Sequence, residues 1–162
     1  FLHRDIKPQN ILVSSTGVVT LLDWGLARDI SGADRVEVIE AHCGPGVIVG
    51  TPGYLSPERA LPMDEVEDER SDCWSLGAVL YGLLTGVPAV DVTAAQRSIF
   101  ANRRHRAAPS LIAPARLPAP ALSAIALRAL ADDPEQRFPT VARLRQAISD
   151  VLVDLNYGYR PT

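Results

Sequence analysis

The chain has 162 residues, enough for one compact domain or one large lobe of a bigger one. Hydrophobic residues make up 47% and charged residues 22%, a globular composition that excludes wholesale disorder. The balance of 16 basic against 19 acidic residues, a formal charge of −3, excludes a broad nucleic-acid-binding surface.

His3-Arg4-Asp5-Ile6-Lys7-Pro8-Gln9-Asn10 opens the chain as a polar loop. Ile11-Leu12-Val13 and Val18-Val19-Thr20-Leu21-Leu22 are short aliphatic and β-branched runs, and the cluster Ser14-Ser15-Thr16-Gly17 between them predicts a β-hairpin. Asp23-Trp24-Gly25 follows at once, so the hairpin brings Asp5, Asn10 and Asp23 together in space. Residues 26–56 hold no sustained period, and Gly or Pro at 44, 45, 46, 50, 52 and 53 predict a long surface loop. Ser56-Pro57-Glu58 starts a helix with Ser56 as cap and Pro57 at its first position. Residues 71–84 read as a buried helix capped by Ser71 and stopped by Gly86. A short helix is expected over 93–103, then an extended connector through Pro109, Pro114, Pro118 and Pro120. Leu122, Ile125, Ala126, Ala129 and Leu130 keep helical spacing up to Asp132-Asp133-Pro134. A last helix runs from Thr140 with Val141, Leu144, Ile148, Val151 and Leu155 on one face, and residues 156–162 form a frayed tail.

The two loops flanking the hairpin carry an Asp, a Lys, an Asn and a second Asp, the polar set that phosphoryl transfer from Mg-ATP requires. One carboxylate orients a hydroxyl and accepts its proton. The amide and the other carboxylate hold Mg²⁺ through oxygen, and the Lys offsets charge on the moving phosphoryl group. This set resembles the catalytic loop and metal-binding turn of eukaryotic-like Ser/Thr protein kinases, H-R-D followed by Asn and then D-F-G. Later landmarks of that family appear in order. Gly50-Thr51-Pro52-Gly53-Tyr54-Leu55-Ser56-Pro57-Glu58 is similar to the end of the activation segment, with Ser56 where A-P-E has Ala. Ser71-Asp72-Cys73-Trp74-Ser75-Leu76-Gly77 resembles the central buried helix, and Asp133-Pro134-Glu135-Gln136-Arg137-Phe138 the late motif whose Arg pairs with the Glu of A-P-E.

The resemblance implies an α+β fold, mainly α-helical: a kinase-like C-terminal lobe over residues 1–155, with a short β-hairpin carrying the catalytic and metal-binding loops. It implies ATP and Mg²⁺ as cofactors and a protein substrate bearing Ser or Thr. Asp5 is then the catalytic base and Lys7 contacts the γ-phosphate. Asn10 and Asp23 are the metal ligands, Leu12 lies under the adenine, and Thr51 faces the substrate while bonding to Asp5 and Lys7. His3, Arg4, Trp24, Gly25, Glu58, Asp72 and Arg137 give structural support. Asp72 accepts hydrogen bonds from the catalytic-loop backbone, and Glu58 pairs with Arg137. Trp24 replaces the usual Phe and reads as core packing with a larger ring.

No Gly-rich loop, V-A-I-K-type Lys or partnering Glu helix occurs in the chain. Those belong to an N-terminal lobe, a partner expected from the longer parent protein, and the fragment alone is expected to be inactive. Two other readings stay open for that parent: a pseudokinase scaffold, and a small-molecule phosphotransferase of kinase-like fold. Lys7-Pro8 and the Gly-Thr-Pro-x-Tyr segment favour a protein substrate.

The remaining features have plainer readings. Cys43 and Cys73 stand far apart with no ligand-spaced partner, so free thiols in a reducing, cytoplasmic setting are expected. No stretch approaches the roughly 20 apolar residues of a membrane span, so no membrane contact is expected from this segment. Asp64, Glu65, Glu67, Asp68 and Glu69 read as a solvated acidic loop, and Arg103-Arg104-His105-Arg106 as a solvated basic group. Arg4 stands where related kinases bind a phosphate on the activation segment, yet no Ser, Thr or Tyr occurs over 32–50. Asp34, Glu37 and Glu40 are the candidate counter-charges, solvated acids with Arg4 satisfied by backbone carbonyls being the equal alternative, and activity is expected to be independent of phosphorylation there.

Overall fold

Two short aliphatic runs around a polar turn satisfy backbone donors and acceptors by pairing with each other. In the computed structural model, which describes residues 1–30, 49–60, 67–91 and 119–155, β1 (Ile11–Val13) runs antiparallel to β2 (Val19–Leu21). Their register is Ile11↔Leu21, Leu12↔Thr20 and Val13↔Val19. The turn is closed by Gly17 N–H donating to the Ser14 carbonyl at 3.0 Å and Ser14 N–H donating to Val18 at 2.9 Å. A 3-10 turn, Pro8–Asn10, leads into β1, and a second, Trp24–Leu26, leaves β2. The region beyond Leu26 does not become loop at once. Arg28 and Leu2 exchange both backbone hydrogen bonds, at 2.9 and 2.8 Å, and so tie the two flanking loops together. A single bridge has no periodic signature, and nothing in the residue pattern announces it.

Among the described residues, helices α1 (Pro57–Ala60), α2 (Glu69–Thr85), α3 (Pro120–Ala129) and α4 (Val141–Asp154) join the hairpin in a mainly helical α+β arrangement. The α2 cap differs from expectation. Asp68 caps it by accepting from Arg70 N–H at 2.8 Å, and the helix begins at Glu69. Asp caps as well as Ser does, and this frees the Ser71 hydroxyl to donate to Glu58 Oε1 at 2.7 Å. Gly86 ends α2 as expected, at φ 73°, a left-handed conformation that glycine adopts without a Cβ penalty. Ser56 does not cap α1 through its side chain. Its carbonyl accepts from Arg59 and Ala60 N–H, while its buried hydroxyl has no partner among the described residues.

The core sits on α2, which packs against both α3 and α4. Trp74, Ala78 and Tyr81 meet Ala89, Val90, Ala126 and Leu130 on one side, and Cys73 meets Ala129, Phe138 and Leu144 on the other. A helix buried on most sides carries apolar residues around its whole circumference rather than in one stripe. Gly77 is the point of closest approach: a Cβ there would lie 2.6 Å from that of Ala129. In α4 Thr140 caps as expected and Leu144 is buried, with Val141, Ala147 and Ile148 half-buried against the same cluster. Leu155, expected on that face, is exposed because the helix ends at Asp154.

No helix among the described residues is long and apolar enough to cross a membrane. The expected helix over 93–103, most of the connector, the tail and the Arg103-Arg104-His105-Arg106 group lie outside the described residues. So do Asp34, Glu37, Glu40, Cys43, Asp64 and Glu65.

Candidate active site

The polar loop at the start of the chain is bent by Arg4, whose φ of 72° is left-handed and costs a non-glycine residue about 1–2 kcal/mol. Buried Asp72, from the first turn of α2, holds that bend. Its two oxygens accept from His3 N–H at 2.7 Å and Arg4 N–H at 3.0 Å. The His3 ring is also buried and bridges the hairpin. Nδ1 accepts from Asp5 N–H at 3.3 Å while Nε2 lies 2.9 Å from the Leu22 carbonyl. A single tautomer, with the proton on Nε2, satisfies both contacts.

Asp5 is thereby aimed at a small cluster from three segments. Lys7 Nζ lies 2.5 Å from Asp5 Oδ2 and donates to Thr51 Oγ1 at 2.8 Å, and the Thr51 hydroxyl donates to Asp5 Oδ1 at 2.9 Å. Asn10 Nδ2 donates to the Asp5 carbonyl at 2.9 Å and to Oδ2 at 3.2 Å. Lys7 and Thr51 are 44 positions apart in sequence, yet their side chains share one carboxylate. The expected contacts of Thr51 and of Asp72 are therefore present.

Asp23 occupies the other end of the hairpin. Its φ of 59° is left-handed, and its Oδ1 accepts from Gly25 N–H at 3.4 Å. Leu22 N–H donates to the Asn10 carbonyl at 2.8 Å, which brings the two expected ligand loops side by side. Asp23 is solvent-exposed, and no cluster of three or more His, Cys, Asp or Glu side chains occurs among the described residues. An amide oxygen and one or two carboxylates are hard donors. They fit Mg²⁺, which keeps several waters and takes its remaining ligands from phosphates, better than a metal needing an all-protein cage.

Leu12 and Trp24 are 55% and 53% exposed, so neither belongs to the core. For Trp24 this corrects the expectation of core packing. Its ring meets His3 edge-on at 4.8 Å and its indole N–H donates to the Leu21 carbonyl at 3.1 Å, leaving the rest of the ring open. With Val13, Val18, Val19 and Leu22, these side chains make the hairpin an exposed apolar surface.

Below the cluster, Arg137 and Glu58 form the expected pair, with two parallel contacts of 2.8 Å. Arg137 places its other donors on the Ala131, Arg70 and Asp132 carbonyls at 2.7, 3.2 and 3.1 Å. Burial pushes the Glu58 carboxyl up, but the Arg137 hydrogen bonds and charge, with the Ser71 hydroxyl, outweigh it and hold the group below its ordinary 4.5. Cys73 is a buried free thiol pushed up to about 12 by burial, with Glu69 and Asp72 adding to it; it is neither nucleophile nor ligand here.

Over its described residues, Glu67, Asp68 and Glu69, the acidic run is not a solvated loop. Glu67 is 11% exposed and takes three guanidinium groups: Arg59 Nε at 2.5 Å, Arg4 Nε at 3.0 Å and Arg28 Nη1 at 3.5 Å. Asp68 caps α2, and Glu69 Oε2 accepts from Val141 N–H at 3.0 Å to join α2 to α4. Arg4 thus meets the carboxylate of Glu67; Asp34, Glu37 and Glu40, its candidate counter-charges, lie outside the described residues. Glu67, Arg28 and Arg59 carry no sequence signal of this role. A run of acids looks solvated until its distant cations are known.

Residues 1–148 match the protein kinase domain family. The chain is 39% identical over 144 residues to the serine/threonine-protein kinase PknB of Mycobacterium tuberculosis, covering 89% of this chain and 22% of that protein. It is 37% identical over 147 residues to PknB of Mycolicibacterium smegmatis, again covering 89% of this chain and 22% of that protein. With the serine/threonine-protein kinase PknD of Chlamydia pneumoniae the identity is 36% over 160 residues, 93% of this chain and 17% of that one. The chain therefore spans about a fifth of the length of these relatives.

Proposed function

This chain belongs to the protein kinase family, and we propose that it forms the C-terminal lobe of a catalytic domain that transfers the γ-phosphoryl group of ATP to Ser or Thr hydroxyls of proteins. The observation that carries the proposal is the Asp5 carboxylate, held by Lys7 on one oxygen and by the Thr51 hydroxyl on the other. So fixed, Asp5 presents an acceptor for the proton of an incoming hydroxyl. Geometry of this kind is most of what phosphoryl transfer asks of a protein.

In this reading the Lys7 ammonium spreads its charge between Asp5 and the phosphoryl group in flight. Thr51, on the segment that would face the substrate, orients both. Asn10 and Asp23 would hold Mg²⁺, which when bound neutralises charge on the nucleotide phosphates. Leu12 offers an apolar floor to the adenine. The exposed apolar side chains of the hairpin are the surface an N-terminal lobe would cover, since apolar patches of this kind mark contact sites. A cytoplasmic setting fits a domain that uses ATP and carries a free thiol.

The test uses the full-length protein with Mg-ATP and a general Ser/Thr protein substrate, read by mass spectrometry of the phosphorylated residues. Phosphate on Ser or Thr is expected, and none from residues 1–162 alone. ATP binding without any transfer would replace the reading by that of a pseudokinase scaffold. Transfer only to small molecules would replace it by a phosphotransferase of another class.

A further inference from the structure

Arg59 is an inconspicuous member of the site that touches two of its segments. From α1 it reaches back to the catalytic loop, where Nη1 donates to the Arg4 carbonyl, and across to residue 49, where Nη2 donates to the Val49 carbonyl at 2.9 Å. The Arg4 carbonyl belongs to the left-handed residue just before Asp5, and Val49 lies two residues before Thr51. One guanidinium therefore spans the two segments whose side chains share the Asp5 carboxylate. Its own side chain is 6% exposed, and that of Arg4 14%. Two cations this close and this dry repel each other and lose hydration. Burial pulls the Arg59 guanidinium below its ordinary value; Glu67 opposes this, Arg4 adds to it, and Asp72 and Asp5 also oppose it. The carboxylate between them is Glu67, with Oε1 on Arg59 and Oε2 on Arg4 and Arg28. Arg28 closes the ring from the far side of the hairpin, through its bridge to Leu2.

We propose that Glu67 is a positioning residue for catalysis: a fixed carboxylate, built into the chain ahead of α2, that holds Arg4, Arg28 and Arg59 together and so sets Asp5 against Thr51. This rests on the proposed phosphoryl transfer for its effect on rate, but not for its effect on structure. Glu67 acts on Asp5 and Thr51 through Arg59 and Arg4. Because the negative charge is part of the polypeptide, no modification of the chain is needed to supply it.

The experiment compares Glu67→Gln with Asp68→Ala in the full-length protein. Gln keeps the shape of the side chain and removes its charge. Asp68→Ala removes the α2 cap one residue away and serves as a control for general destabilisation. Amide exchange over residues 3–6 and 49–51 should speed up at least tenfold in Glu67→Gln and less than twofold in Asp68→Ala. The Glu67→Gln kcat should fall at least tenfold with the KM for ATP within twofold of wild type, whereas Asp68→Ala should keep its kcat. Phosphatase-treated wild type should also keep its kcat within twofold. The proposal is overturned by equal exchange in the two variants, by a Glu67→Gln protein that fails to fold where Asp68→Ala folds, or by loss of activity on dephosphorylation. Inactive wild type would overturn the phosphoryl-transfer reading instead, and the exchange comparison would still decide the role of Glu67.

Discussion

Asp5–Lys7 and Glu58–Arg137 are both carboxylate–cation pairs, and they are built to opposite ends. Lys7 lies 2.5 Å from Asp5, with the two side chains 20% and 8% exposed. Arg137 lies 2.8 Å from Glu58, with exposures of 0% and 5%. The lysine ammonium is a point charge on a flexible stem, shared between Asp5 and Thr51, and rotation of a few bonds frees it to meet another anion. The arginine fork is spent completely: its donors go to both Glu58 oxygens and to three backbone carbonyls. Its plane also lies over the Trp74 ring at 5.0 Å. A pair at the mouth of a site is left able to change partners, whereas a pair under the core is made unable to.

The contrast is sharpest in what each pair loses when broken. Arg137→Ala should destabilise the fold by about 3–5 kcal/mol, because Glu58 and three carbonyls are stranded in the interior. Urea denaturation followed by circular dichroism measures it, and a loss under about 1 kcal/mol would mean the pair behaves like a surface one. Asp5→Asn in the full-length protein should do the reverse. Turnover should fall at least 100-fold, the scale of a lost general base, while the unfolding midpoint and nucleotide affinity stay near wild type. Near-normal turnover of that variant would remove Asp5 from its assigned role.

Acid separates the two regions as well. Glu58 has a lowered carboxyl, so its contribution is complete above its unfolded value of about 4.5 and is lost as pH falls through the lower folded value. The stability of the wild type should therefore decline on acidification below that point. In Arg137→Ala burial, the largest influence on Glu58, is opposed only by the Ser71 hydroxyl and a backbone hydrogen bond, so its carboxyl should rise and the variant should instead recover stability on acidification. Parallel pH profiles for the two proteins would show that the pair is not what governs the acid limb. The smallest effect expected is at Cys73. With its thiol pushed up to about 12, it should resist iodoacetamide at pH 8 in the folded protein and react after unfolding. Alkylation of the native chain at Cys73, read by peptide mass spectrometry, would mean that α2 opens locally.

What was legible in the sequence is what depends on neighbours along the chain. The hairpin follows from β-branched runs around Ser14-Ser15-Thr16-Gly17, the end of α2 from Gly86, and the start of α4 from Thr140. The motif residues were legible too, because Asp5, Lys7, Asn10 and Asp23 lie at short fixed spacings. The α2 cap was misplaced by three residues because Asp68 and Ser71 are equally good caps locally. Only the partner available to Ser71, Glu58, decides between them. Trp24 was expected in the core because aromatic rings bury well. Its actual exposure depends on His3 meeting it edge-on and on how much of the hairpin face is covered. Glu67 shows the limit best. By itself the run Glu67-Asp68-Glu69 reads as charge facing water. Three arginines, at positions 4, 28 and 59, are brought to one carboxylate by the Leu2–Arg28 bridge and the turn into α1. The chain's own letters determined the elements and the reactive groups, since backbone propensity and motif spacing act over a few residues. Which charges meet was decided by the tertiary structure, because a Coulomb interaction depends on distance and burial, and neither is written in the order of the residues.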